Sequence, residues 1–403
     1  MHVCRNCASP LSMTFADLGR QPPSNALLTD PDQSETIYPL HAYVCEKCWL
    51  VQLPELVPPN EIFNERYAYF SSNSKGFLAQ CEDYAKRMAL MLSFSERSHV
   101  VEIASNDGYL LQYFKNMGID VLGIEPSANV ARVAAYKGIL THIAFFGVKV
   151  AKRHKQADLI IANNVFAHVP DIHDFTEGLR ILLRKDGVIT IEFPWLLNLI
   201  NDQQFDTIYH EHFSYFWLHA AVAILAAHDL KIIRVEKLPN LGGSLRLFVT
   251  HYSNKRERDD SVAEILLEES AFGYDKGRLY VDFARRLADR KSELLEFFVQ
   301  ARNARKTVGG YGAPAKATVL LNYCGIGTEF LPYTVDTTLF KQGKYIPGVG
   351  VPIFNEDHLF DDRPDYVLLF PWNLRTEIEN KIGERVRAWG GKFVTAVPYL
   401  EIF

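Results

Sequence analysis

The chain has 403 residues, of which 48% are hydrophobic, 12% aromatic and 23% charged, the composition of an ordinary globular protein with room for two or three domains. With 43 basic and 48 acidic residues the net charge is −5, which argues against the basic face that a nucleic-acid partner requires. The longest apolar run, Ala220 to Ala227 between His219 and His228, is far short of a membrane span, and the first residues lack the basic and apolar regions of a secretion signal. A monomer in the cytoplasm, without membrane or nucleic-acid partners, is expected.

Six cysteines are too few for a disulfide framework in a chain of this length. Four of them form two Cys-x-x-Cys pairs, Cys4 with Cys7 and Cys45 with Cys48. Two intervening residues let both thiolates turn toward one cation at about 2.3 Å, and two such pairs complete a tetrahedron. Coincidentally buried thiols, or a redox pair, are the competing reading; the strand-like context of both pairs disfavours it. The 37 residues between the pairs exceed a zinc-ribbon gap, so a small subdomain is inserted there. With all four positions filled by protein, the predicted zinc is structural.

Beyond the cysteines, short strands are predicted at His41–Val44 and Leu50–Leu53, then a helix from Lys75 to about Phe94. From His99 onward β-branched runs alternate with amphipathic helices: Val100–Ile103, Val121–Ile124, Asp158–Ala162, Val188–Glu192, Lys231–Glu236 and Leu245–Thr250. Such alternation predicts a parallel sheet wound on both faces. The short loop Lys237–Ser244 leaves no room for a helix, so the last two strands form an antiparallel hairpin at one end. The charged run from Lys255 to Asp260 reads as a solvated linker, followed by a long helix from Leu279 to Arg305 and a last α/β block over 307–403. The expected division is 1–72, 73–254 and 255–403.

The first strand of the central block runs into Glu102-Ile103-Ala104-Ser105-Asn106-Asp107-Gly108. A dinucleotide site would carry a glycine series for the pyrophosphate. Here only Gly108 remains of one, Ala104 and Asn106 stand at positions usually glycine, and Glu102 repels phosphate while suiting a cationic ligand. Glu125, 23 residues after Glu102, ends the next strand, where a carboxylate can hold two ribose hydroxyls. Acid, turn and ribose acid together suggest S-adenosylmethionine; without Glu125, an ordinary strand-to-helix turn would explain the loop as well.

The sequence resembles the nucleotide-sugar C-3′-methyltransferases that make branched deoxysugars such as tetronitrose. The resemblance runs the whole chain: the two cysteine pairs, Tyr67-Ala68-Tyr69-Phe70-Ser71-Ser72, the Glu102 loop, Ile124-Glu125-Pro126-Ser127, the segment from Ala162 to Pro170, Tyr209-His210-Glu211-His212-Phe213, the segment from Gly310 to Thr318, Asp336-Thr337-Thr338, Lys341-Gln342-Gly343-Lys344 and Pro371-Trp372-Asn373. It implies a mixed α/β chain with an N-terminal zinc-binding domain, a central Rossmann-like S-adenosylmethionine domain and a C-terminal Rossmann-like domain that helps hold a nucleotide sugar. By resemblance His212 is the general base, with Tyr209, Glu211, His168 and Tyr67 lining the same site. Glu102, Ala104, Asn106, Gly108, Glu125, Pro126, Asn163 and Asn164 are expected at the methyl donor. Tyr69, Ser71, Gly312, Lys316, Asp336, Lys341, Trp372 and Asn373 are expected at the sugar.

The implied chemistry has definite demands. Carbon methylation needs a C–H bond acidified by a neighbouring carbonyl, which a nucleotide-linked 4-keto-deoxysugar supplies beside C-3. Histidine is the common base near neutral pH, worth about 10²–10⁴-fold, and donors at the enolate oxygen add to it. Tyr209, Glu211 and His212 supply donor, orienter and base. His168 alone reads as a satisfied strand-end histidine, and His210 is given no role. In the C-terminal block, Gly310, Gly312, Pro314 and Lys316 suit a diphosphate at a helix start, against a ligand-free Rossmann-like unit kept for packing. The alternatives are oxygen or nitrogen methylation, a zinc-module nucleic-acid-binding or RNA-modifying protein, and a catalytically silent binding module.

Overall fold

A computed structural model of the chain describes every residue except Met1, Arg66, Ala68, Tyr69, Ser74 and the side chain of Lys75; the expected sugar contact at Tyr69 therefore lies outside the described residues. Three sheets organise it. The central sheet has seven strands in the order Leu230–Leu238, Ser244–His251, Leu183–Pro194, Ala157–Asn163, His99–Ile103, Asp120–Ile124 and Thr141–His142. All are parallel except Ser244–His251, which pairs antiparallel with both neighbours. The hairpin expected from the short loop is present, and its second strand is the one inserted against the sheet. His99–Ile103 is buried along its whole length, as a strand covered by helices on both faces must be. The chain reverses direction across the sheet between His99–Ile103 and Ala157–Asn163, the switch point at which open α/β sheets bind ligands.

The C-terminal sheet repeats the principle. Val351–Phe354, Thr334–Val335, Val308–Tyr311, Tyr366–Leu369 and Lys392–Thr395 run parallel, with antiparallel edges at Tyr345–Ile346 and Glu401–Ile402. Its switch point lies between Val308–Tyr311 and Tyr366–Leu369.

The N-terminal sheet holds Met13–Gln21, Tyr38–Val44 and Val51–Gln52, and its fourth strand is Ser214–Tyr215, supplied by the middle of the chain. The strand Met13–Gln21 went unread in the sequence. The 27-residue helix Gly277–Asn303 packs on this sheet, Phe283 stacking on Phe15 at 4.5 Å between centroids. Among the described residues no helix is long and apolar enough to cross a membrane.

Residues 255–258 are exposed, as a solvated linker should be, but Asp259 caps a helix, Asp260–Phe272, by accepting from the Ser261 amide. That helix delivers Glu269, fully buried, to the central domain. Its carboxylate accepts from Trp195 Nε1 (2.8 Å), the Leu218 amide (2.6 Å), and the His219 amide (3.1 Å) and Nδ1 (2.7 Å). The amides open the helix Leu218–Ala226, so Glu269 satisfies donors that the helix cannot satisfy itself. Glu269→Ala strands these donors at about 1–3 kcal/mol each. The expected result is a clear fall in the urea midpoint with unchanged m-value, and a smaller fall for Glu269→Gln, whose one remaining oxygen serves two of the four donors.

Candidate active site

The two cysteine pairs fold into matching knuckles. In each, the residue after the pair donates back to the first cysteine carbonyl (Ala8 to Cys4, Trp49 to Cys45, both 2.8 Å) and adopts a positive φ, 57° and 59°. The knuckles bring Cys4 Sγ within 3.5 Å of Cys48 Sγ and Cys7 Sγ within 3.5 Å of Cys45 Sγ, and all four sulfurs lie within 4.8 Å of one another. Four zinc–sulfur bonds of about 2.3 Å demand sulfurs just under 4 Å apart, so this donor set fits a tetrahedral zinc with no place for a water ligand. Gln52 Nε2 donates to Cys4 Sγ at 3.1 Å, orienting the thiolate from outside the site.

At the central switch point the loop after His99–Ile103 carries three left-handed residues, Ala104 (φ 56°), Asn106 (φ 49°) and Gly108 (φ 74°). The turn thus keeps glycine geometry with alanine and asparagine in it, at a cost of about 1–2 kcal/mol for Ala104. Glu125 holds the turn from the next strand: Oε2 accepts from the Asn106 amide (3.0 Å) and Oε1 from the Ser127 amide (2.8 Å), which follows Pro126 and precedes the helix Ala128–Tyr136. Burial pushes the Glu125 carboxyl up, opposed by these amides. Glu102 is pushed well above the carboxylate range by burial, opposed by a hydrogen bond from Tyr109.

Among the described residues, Glu102 Oε2, Asp107 Oδ1, Asn163 Oδ1 and Asn164 Oδ1 are buried oxygens with no partner. Orphaned acceptors around one switch point fit a ligand that brings donors and positive charge, as the ammonium, sulfonium and ribose hydroxyls of S-adenosylmethionine do. Ser71, expected at the sugar, lies against this turn: its amide donates to Asn106 Oδ1 at 3.0 Å.

The segment between Phe205–Thr207 and Ser214–Tyr215 carries the histidine cluster. His212 Nδ1 lies 2.9 Å from the Thr207 carbonyl, so it is the protonated nitrogen and Nε2 holds the lone pair. His168, in the turn Phe166–His168 beyond the strand Ala157–Asn163, donates from Nδ1 to the Glu211 carbonyl at 2.8 Å. The two half-buried rings meet edge to face with centroids 4.7 Å apart, and Tyr209 lies 4.1 Å from His212. Burial keeps both imidazoles neutral: His168 is lowered to about 4, and His212 falls well below the usual value, by burial first and then by the His168 and Lys316 fields. Tyr67 reaches this corner through Phe63, whose ring is edge-on to Tyr67 at 5.3 Å and to His168 at 5.7 Å.

The expectation that the Glu211 carboxylate orients His212 is corrected. That side chain is buried and accepts from Asn25 Nδ2 at 2.5 Å, with burial raising it to about 7; the orienter of His212 is the Thr207 carbonyl. His210 turns away to donate to the Pro39 carbonyl at 3.3 Å. Asn25 and Thr207 were missed in the sequence, where no motif separates them from other turn residues.

The C-terminal switch point faces this cluster. Lys316 Nζ donates to Asn373 Oδ1 (2.8 Å) and stands 4.0 Å over the Trp372 ring, while Trp372 Nε1 donates to Asp206 Oδ2 (2.7 Å). Burial lowers Lys316 to about 8 and raises Asp206 to about 6, each opposed by the other's charge. Asp336 and Lys341 do not join them. Asp336 accepts from the Ala313 amide (2.8 Å), the Thr338 amide (2.8 Å) and Lys341 Nζ (3.3 Å). At the turn expected to suit a diphosphate, the Ala313 amide is therefore taken by the Asp336 carboxylate from the end of the neighbouring strand. A Cβ on Gly312 (φ 87°) would come within 2.7 Å of Pro371, so packing alone explains that glycine.

Three regions match known sequence families: residues 4–63 a zinc binding domain, 76–235 a methyltransferase domain and 239–398 a C-methyltransferase C-terminal domain. Over 98% of this chain and 95% of the other, 35% of residues are identical to the C-methyltransferase NovU of Streptomyces niveus. A 117-residue stretch, 28% of this chain and 46% of the other, is 26% identical to a ubiquinone biosynthesis O-methyltransferase of Rhodopseudomonas palustris. A solved S-adenosylmethionine-dependent methyltransferase of Anabaena variabilis covers 43% of this chain and 85% of its own at 15% identity, with a TM-score of 0.36. With the full-length likeness and the three matched regions falling on the zinc knuckles, the donor sheet and the C-terminal sheet, the chain belongs to the S-adenosylmethionine-dependent C-methyltransferases that carry an N-terminal zinc-binding domain.

Proposed function

We propose that this enzyme methylates C-3 of a nucleotide-linked 4-keto-6-deoxysugar through an enolate, with 1–72 as zinc-binding domain, 73–254 as donor domain and 255–403 as linker helices and sugar-nucleotide domain. The observation that carries the reading is His212: a neutral imidazole, fixed by the Thr207 carbonyl with Nε2 unprotonated, between the donor switch point and the Lys316–Trp372–Asn373 group. A base held in that tautomer accepts a proton without first losing one. His212 Nε2 takes the C-3 proton, leaving the electron pair delocalised onto the C-4 oxygen. Tyr209 and Tyr67 are the candidate donors to that oxygen, and the Lys316 ammonium contributes positive field. S-adenosylmethionine held at the acceptor-rich turn would supply an electrophilic methyl group for C-3, its sulfur keeping the electron pair of the broken S–C bond as S-adenosylhomocysteine leaves. His168 is a second neutral imidazole beside the base, and its field helps to keep His212 unprotonated before substrate binds.

The test is to incubate the enzyme with S-adenosylmethionine and a panel of 4-keto-6-deoxy nucleotide sugars. A mass gain of one methylene unit with a carbon-bound methyl resonance is expected; a methoxy resonance, or methylation of sugars lacking the keto group, would reject carbon methylation.

Glu125 is proposed to hold the ribose as well as the turn. Glu125→Gln places an amide N–H against one of two backbone amides, so donor affinity measured by calorimetry is expected to fall by about tenfold or more. Nucleotide-sugar affinity is expected to stay near wild type. Unchanged donor affinity would remove Glu125 from the donor site.

A further inference from the structure

We propose that Arg5, inside the first cysteine knuckle, is a positioning residue for both active-site histidines, so that the zinc knuckle sets the geometry of the proposed base. The inference rests on the reading of His168 and His212 as the groups facing substrate.

Arg5 stands between Cys4 and Cys7, its amide donating to Gln52 Oε1 at 2.9 Å while Gln52 Nε2 donates to Cys4 Sγ. Its guanidinium leaves the knuckle and donates to the Pro170 carbonyl (3.1 Å), the Val169 carbonyl (3.4 Å) and the Leu53 carbonyl, with its central carbon 5.5 Å from the Phe213 ring centroid. Val169 follows His168, and Phe213 follows His212. Leu53 also donates its amide to the Phe213 carbonyl at 3.0 Å. One half-buried cation thus ties the residues that flank both histidines to the knuckle. A guanidinium stays charged at neutral pH.

A second, independent tie grips the same segment. His173, in the first turn of Ile172–Leu182, has Nε2 2.8 Å from the carbonyl of Asn6, the next knuckle residue. The knuckle therefore holds 168–173 on both sides of Pro170. The planar fork of a guanidinium spans several carbonyls at fixed angles, which a lysine ammonium cannot do. Misplacing a reacting group by about 1 Å from a remote change costs about 10²-fold in rate.

The experiment uses full-length, zinc-loaded Arg5→Met and Arg5→Lys enzymes, with Glu35→Ala as control. Glu35 makes a separate contact from the N-terminal domain, to the Gly348 amide at 2.9 Å, and touches neither histidine. Arg5→Met is expected to lose about 10–100-fold in kcat with KM for both substrates and zinc content unchanged. Arg5→Lys should recover part of that loss, and Glu35→Ala should match wild type. In ¹⁵N-histidine-labelled protein, the Nδ1 protons of His168 and His212 should shift and exchange faster in Arg5→Met. Should Arg5→Met fail to fold, Arg5→Lys carries the test through the same split and the same resonances. Unmoved imidazole resonances, or activity lost only in proportion to zinc or folded fraction, would overturn the proposal. A His212→Asn enzyme at wild-type rate would instead overturn the reading of His212 as base, and the imidazole resonances would still decide the role of Arg5.

Discussion

Replacing His212 with asparagine is expected to lower kcat by about 10²–10⁴-fold while leaving the binding of both ligands near wild type. Asparagine fills most of the imidazole volume and its amide can still donate to the Thr207 carbonyl, but it offers no useful base. If the wild-type enzyme is given the 4-keto sugar and the demethylated donor in deuterated water, C-3 hydrogen should exchange, and His212→Asn should lose exchange and methylation together. The pH profile follows from the sign of the shift. A base works unprotonated, and burial with the neighbouring His168 and Lys316 fields lowers the His212 value, so the active form persists to lower pH. The acid limb assigned to His212 is expected below the ordinary histidine value of about 6.5. Near wild-type turnover in His212→Asn would remove this residue from the mechanism.

Removal of a zinc ligand has the other large effect. Cys45→Ser is expected to abolish stoichiometric zinc and soluble yield together. Cys45 is fully buried, and its amide donates to the Leu50 carbonyl at 3.0 Å at the base of its knuckle. Structural zinc contributes about 10–16 kcal/mol in zinc-finger peptides at neutral pH. That is comparable with the whole stability of an ordinary domain, about 5–15 kcal/mol. Metal analysis and thermal melts of wild type, chelator-treated wild type and Cys45→Ser provide the measurement. Fully active wild-type protein without zinc would refute the assignment.

What the sequence disclosed depended on where the information was carried. The cysteine knuckles were legible because spacing alone fixes the ligand geometry. The central sheet was legible because β-branched runs alternated with amphipathic ones, and the short Lys237–Ser244 loop even gave the antiparallel strand. The tight turn after His99–Ile103 was legible despite its missing glycines, since Glu102 and Glu125 sat at strand ends. The contacts that orient the histidines were not. Thr207 and Glu211 act through main-chain carbonyls, which every residue possesses, and Asn25 reaches Glu211 across 186 positions of chain. Glu211 was misread for the same reason: adjacency to His212 suggested a side-chain contact, whereas the backbone directs its carboxylate toward the N-terminal segment. Lys316, Trp372 and Asn373 were all named in the sequence, yet Asp206, which accepts from the Trp372 indole and faces the Lys316 charge, went unread because it comes from another region of the chain.

The fourth strand of the N-terminal sheet, Ser214–Tyr215, bears on how the protein is made. Residues of the zinc-binding region emerge first from the ribosome and can bind metal at once. The edge Val51–Gln52, however, acquires its hydrogen-bonded neighbour only after residue 215 has been synthesised. Leu28 then waits longer for its bridge to Tyr345, and Ser24 for its bond to Thr318. An uncovered strand edge during translation is a template for pairing with other nascent chains. The same wiring makes the histidine segment and the zinc sheet one cooperative unit, so the proposed active site completes only when both ends of the chain are in place.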